Sequence, residues 1–576
     1  MEGSITEAKL PLLPLLHGTP SQEHGPYTGN GSVDVKGNPA SKTHTGKWKA
    51  CYSILGGEFC GALAYYSVGT NLVSYLTKVQ GQSNVTAASN IASWQGNCYL
   101  TTILGAFLAD SYWGRHRTIV VSLTIFTFGM VLLTLSAVVP PNMHTPLTIS
   151  PQEALSSLGL YMTALGLGGI WPCVPTFGAD QFDETDSSEK AQKELFYNWY
   201  YFAVNGGFFV ASTAIVWVQD NCGWGLGFGI PTLFSVIGIV GFLASMRFYR
   251  YQKPGGSALT RICQVVVAAF RKLHVDVPSD SSLLCEMPGK ESAIVGSRKL
   301  LHTDGLRFFD RAATVTASDE ASASPWKLCT VTQVEELKIL ARMLPVFLTA
   351  IIFNTAEACF PLFVEQGGAM DNHIAGDAFA LPPASLMTFT CLCILILAPA
   401  YDKVLMPMVS RLTGVKCGLS ELHRIGVGMV FAVLALAAAA SVETARLIVV
   451  EKRGVSHGGA APVSILWQVP QYLFVGVAKV FSVVGYIEFA YEQSPDAMRS
   501  LCQACSLIMV TLGSYLVSAM LTIISSVTAG NGGWIPENHN EGHLDRFFWL
   551  MAALHLINLI AFVCCATSYK RKLATT

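Results

Sequence analysis

Charge is what this chain lacks. Only 13% of its 576 residues are Asp, Glu, Lys or Arg, against 51% hydrophobic; a soluble domain carries nearer ~25% charged residues. The charges nearly cancel, leaving a net −1, so nothing in the balance points to nucleic acid as a partner. The start of the chain lacks the basic stretch and early apolar core of a cleavable signal peptide. The sequence shows no phosphate loop, nucleophile triad or metal-ligand cluster, so no cofactor, no metal and no catalytic residue are expected. The 16 cysteines suggest a redox framework only until they are placed. Most, including Cys60, Cys98, Cys173, Cys359, Cys391, Cys393, Cys564 and Cys565, fall in apolar stretches, where Cys is a small filler. Cys502 and Cys505 match C-x-x-C, but in an apolar segment without a second pair, so they read as structural.

Long apolar runs are what the chain has instead. A span needs roughly 20 apolar residues to cover a ~30 Å hydrocarbon core, and about 12 segments qualify. They cover 50–76, 90–110, 117–139, 156–176, 196–217, 226–247, 337–364, 383–405, 421–443, 464–490, 500–526 and 545–567. The expected class is an all-α polytopic membrane protein. Its expected units are a disordered amino-terminal stretch 1–46, a six-helix bundle 47–247, a polar linker 248–334, a second six-helix bundle 335–567 and a basic tail 568–576. Arg115, His116 and Arg117, the linker cations Arg247, Arg250, Lys253, Arg261, Arg271 and Lys272, and the tail residues Lys570, Arg571 and Lys572 assign one face, and both termini, to the cytosol. The basic residues around Arg446, Lys452 and Arg453 are the exception on the other face. That face also receives the sequon Asn84-Val85-Thr86, a candidate glycosylation site. Glu7 to Leu13 loosely resemble an acidic dileucine sorting signal. The expected location is the plasma membrane or the vacuolar membrane.

Between the second and third spans runs Gly105-Ala106-Phe107-Leu108-Ala109-Asp110-Ser111-Tyr112-Trp113-Gly114-Arg115-His116-Arg117-Thr118. Its small residues allow close helix approach, and Asp110 and Arg115 can pair at the membrane surface as a gating loop. Further motifs are Phe177-Gly178-Ala179-Asp180-Gln181-Phe182, the stretch Phe196 to Asn205, Trp467-Gln468-Val469-Pro470-Gln471 and Gln493-Ser494-Pro495-Asp496-Ala497-Met498-Arg499. Together they resemble the plant nitrate/peptide transporter family, the plant branch of the proton-coupled oligopeptide transporters in the major facilitator superfamily. Gln252 to Ser257 and Val331 to Lys338 are most similar to its di- and tripeptide subgroup. The resemblance implies two six-helix bundles around a central cavity that opens alternately to either side.

Where the chain departs from that family is informative. Proton-coupled members carry E-x-x-E-R in the first span; here Glu58 remains, but Gly61 and Ala62 replace the second acid and the arginine. Glu58 is therefore a remnant without partners in its own helix, which places family-style proton coupling in doubt. The cavity lysine of the fourth span is Trp171, and the glutamate that would meet a substrate amine is Lys479. Glu357 is an added acid in the seventh span. An unpaired Lys or Glu deep in a membrane costs on the order of 3 kcal/mol, so Glu357 and Lys479 are expected to form a pair at the cavity. Tyr65, Tyr66, Asn198, Tyr201, Asn205 and Trp467 complete the expected substrate-binding set, as the resemblance implies. Each also has a plain reading as packing or interhelical hydrogen bonding. So many aromatic residues suit a partly aromatic or amphipathic solute.

The favoured function is transport of a small organic solute, peptide-like or a specialised metabolite, by alternating access within membrane lipid. The alternative is a scaffold that no longer transports and acts as a ligand-binding, interaction or catalytic protein on a cavity-bound metabolite, with Glu357 and Lys479 as an acid/base pair. Substrate charge, direction and oligomeric state stay open at this level.

Overall fold

The computed structural model describes residues 26–82, 84–139, 150–287, 292, 294, 297–316, 324–374, 379–413, 420–453, 460–528, 534 and 542–572. The Glu7–Leu13 stretch, linker residues 317–323 and the last residues of the tail lie outside them, as does the side chain of Asn84. The amino-terminal bundle is built from α1 (Lys47–Gly69), α2 (Leu72–Lys78), α3 (Asn84–Leu108), α4 (Arg115–Val138), α5 (Pro151–Ala179), α6 (Ser187–Val210), α7 (Val216–Asn221) and α8 (Trp224–Ala244). A linker helix α9 (Ala258–Arg271) follows. The carboxy-terminal bundle holds α10 (Val331–Ala358), α11 (Phe360–Gly368), α12 (Met387–Ala400), α13 (Met406–Thr413), α14 (Glu421–Arg453), α15 (Val469–Gln493), α16 (Arg499–Thr528) and α17 (Leu544–Ser568). Among the described residues, ten helices are long and apolar enough to cross a membrane. The two other expected spans are the helices α1 and α3, of 23 and 25 residues, which fall outside those ten.

Local sequence explains the helix boundaries. Ser150 and Glu153 form a capping box at the start of α5, and Thr330 and Gln333 form another at the start of α10. The first expected span breaks near Asn71, giving the short α2. The seventh breaks at Cys359, where Pro361 in the first turn of α11 cannot donate to the preceding helix. Glycines bring α3 onto α5: a Cβ on Gly105 would lie 2.2 Å from the Gly168 carbonyl oxygen, and one on Gly168 would lie 2.6 Å from that of Thr101. Such backbone contact is how membrane helices gain packing energy without a hydrophobic drive between them.

One stretch differs from expectation, and a second gains detail. Residues 26–46 were expected to be disordered, yet their backbone is tied to the amino-terminal bundle. Val33 and Tyr251 exchange two backbone hydrogen bonds of 3.0 and 2.9 Å, Gly46 N–H donates to Phe248 at 2.7 Å, and Gly29 N–H donates to Asp183 at 2.7 Å. Gly46 sits at φ 74 with Arg250 so near that a side chain would collide, which makes glycine necessary there. The expected linker docks on the first turns of α10. Arg261 pairs with Glu336 at 2.9 Å, while Lys338 bridges Asp310 at 2.6 Å and Glu335 at 2.9 Å. A small core of Val265, Ala268, Ala312, Cys329 and Val334 lies beneath. The exceptional cation Arg446 is no loop residue: it is fully buried against Glu443 at 2.6 Å within α14.

Candidate functional site

Charge meets aromatic rings where the two bundles face each other. Lys479 on α15 donates to Glu357 on α10, with Nζ–Oε1 2.6 Å; the side chains are 16% and 46% exposed. The Lys479 ammonium also stands 5.6 Å from the Phe360 ring centroid. With Glu357 nearly half-exposed, solvent screening holds the pair to ~0–1 kcal/mol, so its geometry does little for stability and leaves it able to exchange partners. Across from it, α1, α3, α5 and α6 supply a ring cluster. Trp171 packs edge-on against Tyr65 at 5.1 Å and lies 5.1 Å from Tyr99, while Tyr65 contacts Tyr66 at 4.9 Å and Trp94 at 5.4 Å. Tyr65, Tyr66, Tyr99 and Tyr201 lie within electrostatic range of Glu357, and Tyr66 within range of Lys479.

A narrow cavity with about 50 Å³ of room for water centres runs beside this cluster, lined by Glu58, Gly61, Ala62, Tyr65, Tyr66 and Trp171 among others. Glu58 is buried; Tyr200 donates to it at 3.2 Å, and among the described residues no cation pairs with it. Trp171 occupies the middle of the ring cluster, so this part of the cavity presents aromatic faces rather than a cation.

Other expected residues fall elsewhere. Asn198 is buried and accepts from Arg424 at 2.7 Å; Arg424 in turn pairs with Glu488 at 3.1 Å. Asn198 thus belongs to an inter-bundle tie and is not free to meet a solute. Trp467 is 66% exposed on a 3₁₀ turn ahead of α15. Its companion Gln471 is buried on Gln366 at 3.2 Å. Asn205 donates to the Tyr201 carbonyl at 2.8 Å and accepts from the Cys391 thiol at 3.5 Å, so it shapes the α6–α12 contact. Tyr99, Trp94 and Tyr200 are additions; only their aromatic character in apolar spans hinted at them.

Asp110 and Arg115 are part of a larger lattice that bolts the bundles together at the basic-loop end. Arg115 pairs with Asp180 and lies 3.5 Å from Asp110, donates to Ser500 at 3.0 Å, and Asp110 accepts from the Leu501 amide at 3.0 Å. Arg499 reaches Glu184 at 2.6 Å and Asp496 at 3.1 Å, and Tyr491 donates to Asp180 at 2.8 Å. Arg298 of the linker and Lys572 of the tail close on Asp496 at 3.0 and 2.9 Å. Burial opposes ionisation of Glu184, yet Arg499, Lys193 and Arg298 hold its carboxyl well below the usual range. Asp180, Asp496 and Arg499 stand in motifs visible in the sequence, but their pairing is not.

His302, Asp310 and Glu335 lie close enough to share a metal ion. Lys338 and Arg342 already neutralise the two carboxylates there, Arg342 reaching Glu335 at 2.9 Å. That donor set fits an ion-pair dock better than a cation site.

Comparison with known proteins agrees with this architecture. The family model described as the POT family matches residues 116–535. Protein NRT1/PTR family 8.3 of Arabidopsis thaliana is 49% identical over 588 residues, covering all of both chains. Arabidopsis thaliana NRT1/PTR family 8.1 is 48% identical, over 96% of this chain and 99% of that one. Among solved structures, the POT family transporter PepTSo is 22% identical, with TM-score 0.58 over 91% of this chain and 99% of that chain. A POT family transporter in complex with 5-aminolevulinic acid is 13% identical, with TM-score 0.56 over 92% of this chain and 99% of that chain. The fold is therefore that of the major facilitator transporters, an integral multi-pass membrane architecture. The chain belongs to the POT family, in its plant NRT1/PTR branch.

Proposed function

We propose that this transporter moves a small, partly aromatic or amphipathic organic solute across the plasma or vacuolar membrane by alternating access, with its proton coupling altered from the family pattern. The observation that carries this reading is the Glu357–Lys479 pair, 2.6 Å apart with Glu357 nearly half-exposed, set against the Tyr65, Tyr66 and Trp171 rings of the opposite bundle. A solute with an acidic group takes Lys479 from Glu357; one with a basic group takes Glu357. Either exchange costs little, because the pair it replaces is worth ~0–1 kcal/mol. The aromatic faces supply the remaining contact area. Binding between the bundles can then be linked to breaking the lattice at the basic-loop end, whose partners come from both bundles. That lattice favours transport over a fixed receptor, since its contacts are the kind that open and close as bundles rock.

Glu58 lacks the second acid and the arginine of the proton-coupling motif. Uptake is therefore expected to depend weakly on external pH. The test is uptake of a mixed panel of peptides and plant metabolites into oocytes expressing the chain, at about pH 5.5 and about pH 7.5, read by mass spectrometry with surface expression checked. Accumulation of a non-peptide without acid stimulation is the expected result. Acid-stimulated dipeptide accumulation refutes the altered coupling, and binding without flux refutes transport.

A further inference from the structure

A cavity that the transport site does not use lies at the basic-loop end, with a volume of about 320 Å³. It is enclosed between the first turn of α4, the 251–254 segment and the docked strand of residues 26–46. Its charged and titratable lining is Arg115, His116, Arg117, Tyr251 and Lys253 against Asp34 and Asp180. The acids are already engaged. Asp180 is held by Arg115 and Arg499, and Asp34 accepts from the Lys36 and Asn38 amides at 2.8 and 2.9 Å. Arg117 and Lys253 make no ion pair among the described residues. His116 Nε2 is buried without a hydrogen-bond partner, its ring stacked on Phe242 at 5.3 Å and edge-on to Tyr251 at 5.1 Å.

We propose that this cavity is a binding site for a phosphate monoester, with Arg117 and Lys253 as the charged contacts and the packed His116 ring as part of its wall. A dianion matches two uncommitted cations better than a single carboxylate does, and charge-assisted contacts of this kind are the strong ones. The volume fits a phosphate on a small polyol ring rather than bare phosphate. Trp113 lines the mouth at 43% exposure beside Tyr112 at 59%, the residue type that sits at headgroup level. The same chemistry is offered by a free sugar phosphate and by a phosphoinositide headgroup.

The test uses the purified full chain. Binding of soluble inositol 4-phosphate is measured by calorimetry, and binding to phosphatidylcholine nanodiscs with and without a minor fraction of phosphatidylinositol 4-phosphate by native mass spectrometry. Retention of either probe is expected, weakened at least about tenfold by R117Q with K253Q, both exposed positions. Asp34→Asn, which removes an acid from the wall, is expected to tighten binding. Binding of the soluble probe identifies a metabolite site; binding only in nanodiscs identifies a headgroup site. Failure of both probes, or equal affinity in R117Q/K253Q, overturns the proposal.

Discussion

Lys479 Nζ stands 2.6 Å from Glu357 Oε1, joining two residues 122 positions apart on different helices, with Glu357 nearly half-exposed. The two substitutions that reverse or add charge relative to the family pattern thus meet each other. A pair of this exposure is cheap to break, so its removal is expected to register in transport rather than in folding. Lys479→Gln and Glu357→Gln should each shift stability by less than about 1 kcal/mol while lowering uptake about tenfold or more. The double variant should fall no further than the worse single one, giving a coupling energy in a double-mutant cycle. Additive losses would mean that the two residues act apart. An anionic solute should suffer more from Lys479→Gln, a cationic one more from Glu357→Gln.

The lattice at the basic-loop end supports a different contrast. Arg499 serves Asp180, Glu184 and Asp496, whereas Lys572 serves Asp496 and the Ser494 carbonyl. Losing one partner of a buried ion pair costs ~3–5 kcal/mol. Arg499→Gln should therefore open this end, read as faster hydrogen exchange over 491–501 and 110–118. Lys572→Gln should have a smaller effect, because Arg298 and Arg499 still neutralise Asp496. Equal exchange in both variants would dismiss the hierarchy.

Much of this was legible in the sequence, and the exceptions have physical reasons. Apolar run lengths located the helices, and the cost of unpaired charge in a membrane predicted that Glu357 and Lys479 would meet. Asn198, Tyr201 and Asn205 all lie on α6, but Arg424, 226 residues away, captures Asn198; no local pattern announces such a partner. Trp467 sits exposed on a 3₁₀ turn ahead of α15, whereas Gln471 of the same motif is buried, a split that the motif does not announce. Residues 26–46 looked disordered because few are apolar. Their order comes from backbone hydrogen bonds to Tyr251, Phe248 and Asp183, which composition does not report.

The pH response of the lattice follows from Glu184. Its carboxyl is held well below the usual range by Arg499, Lys193 and Arg298. A depressed carboxylate contributes stability above its unfolded value, near ~4.3, and loses it only as pH falls through the lower folded value. The melting-temperature gap between the wild type and Glu184→Gln should thus stay constant from about pH 8 to about pH 5 and shrink only in stronger acid. A gap that closes between about pH 7.5 and about pH 5.5 would make Glu184 a physiological proton site, against this reading.

Tight helix contact gives a steric prediction. Gly105 and Gly168 place α3 and α5 backbone to backbone, with no space for a Cβ at either. Gly105→Leu must separate the helices, and overpacking typically costs 1–3 kcal/mol or more. The expected result is lower yield and lower melting temperature. Gly61→Ala, at a position with nothing within 4 Å of its Cβ, should leave both unchanged.

That same open position lets the coupling argument be tested by gain rather than loss. Gly61 and Ala62 line the narrow cavity with Glu58, so a Gly61→Glu, Ala62→Arg double variant would return an acid and an arginine beside the remnant acid. Room at Gly61 means that the acid can be added without displacing a neighbour. An arginine at 62 then has Glu58 and the new acid as alternative partners on adjacent helical turns. If the degraded motif is what weakens coupling, this variant should show uptake stimulated by external acid, while the single Gly61→Glu variant, lacking the exchange partner, should not. Unstimulated uptake by a well-expressed double variant would move the cause away from the first span. Trp171 and Lys479 would then be next, because they replace the other two ionisable groups of the family pattern.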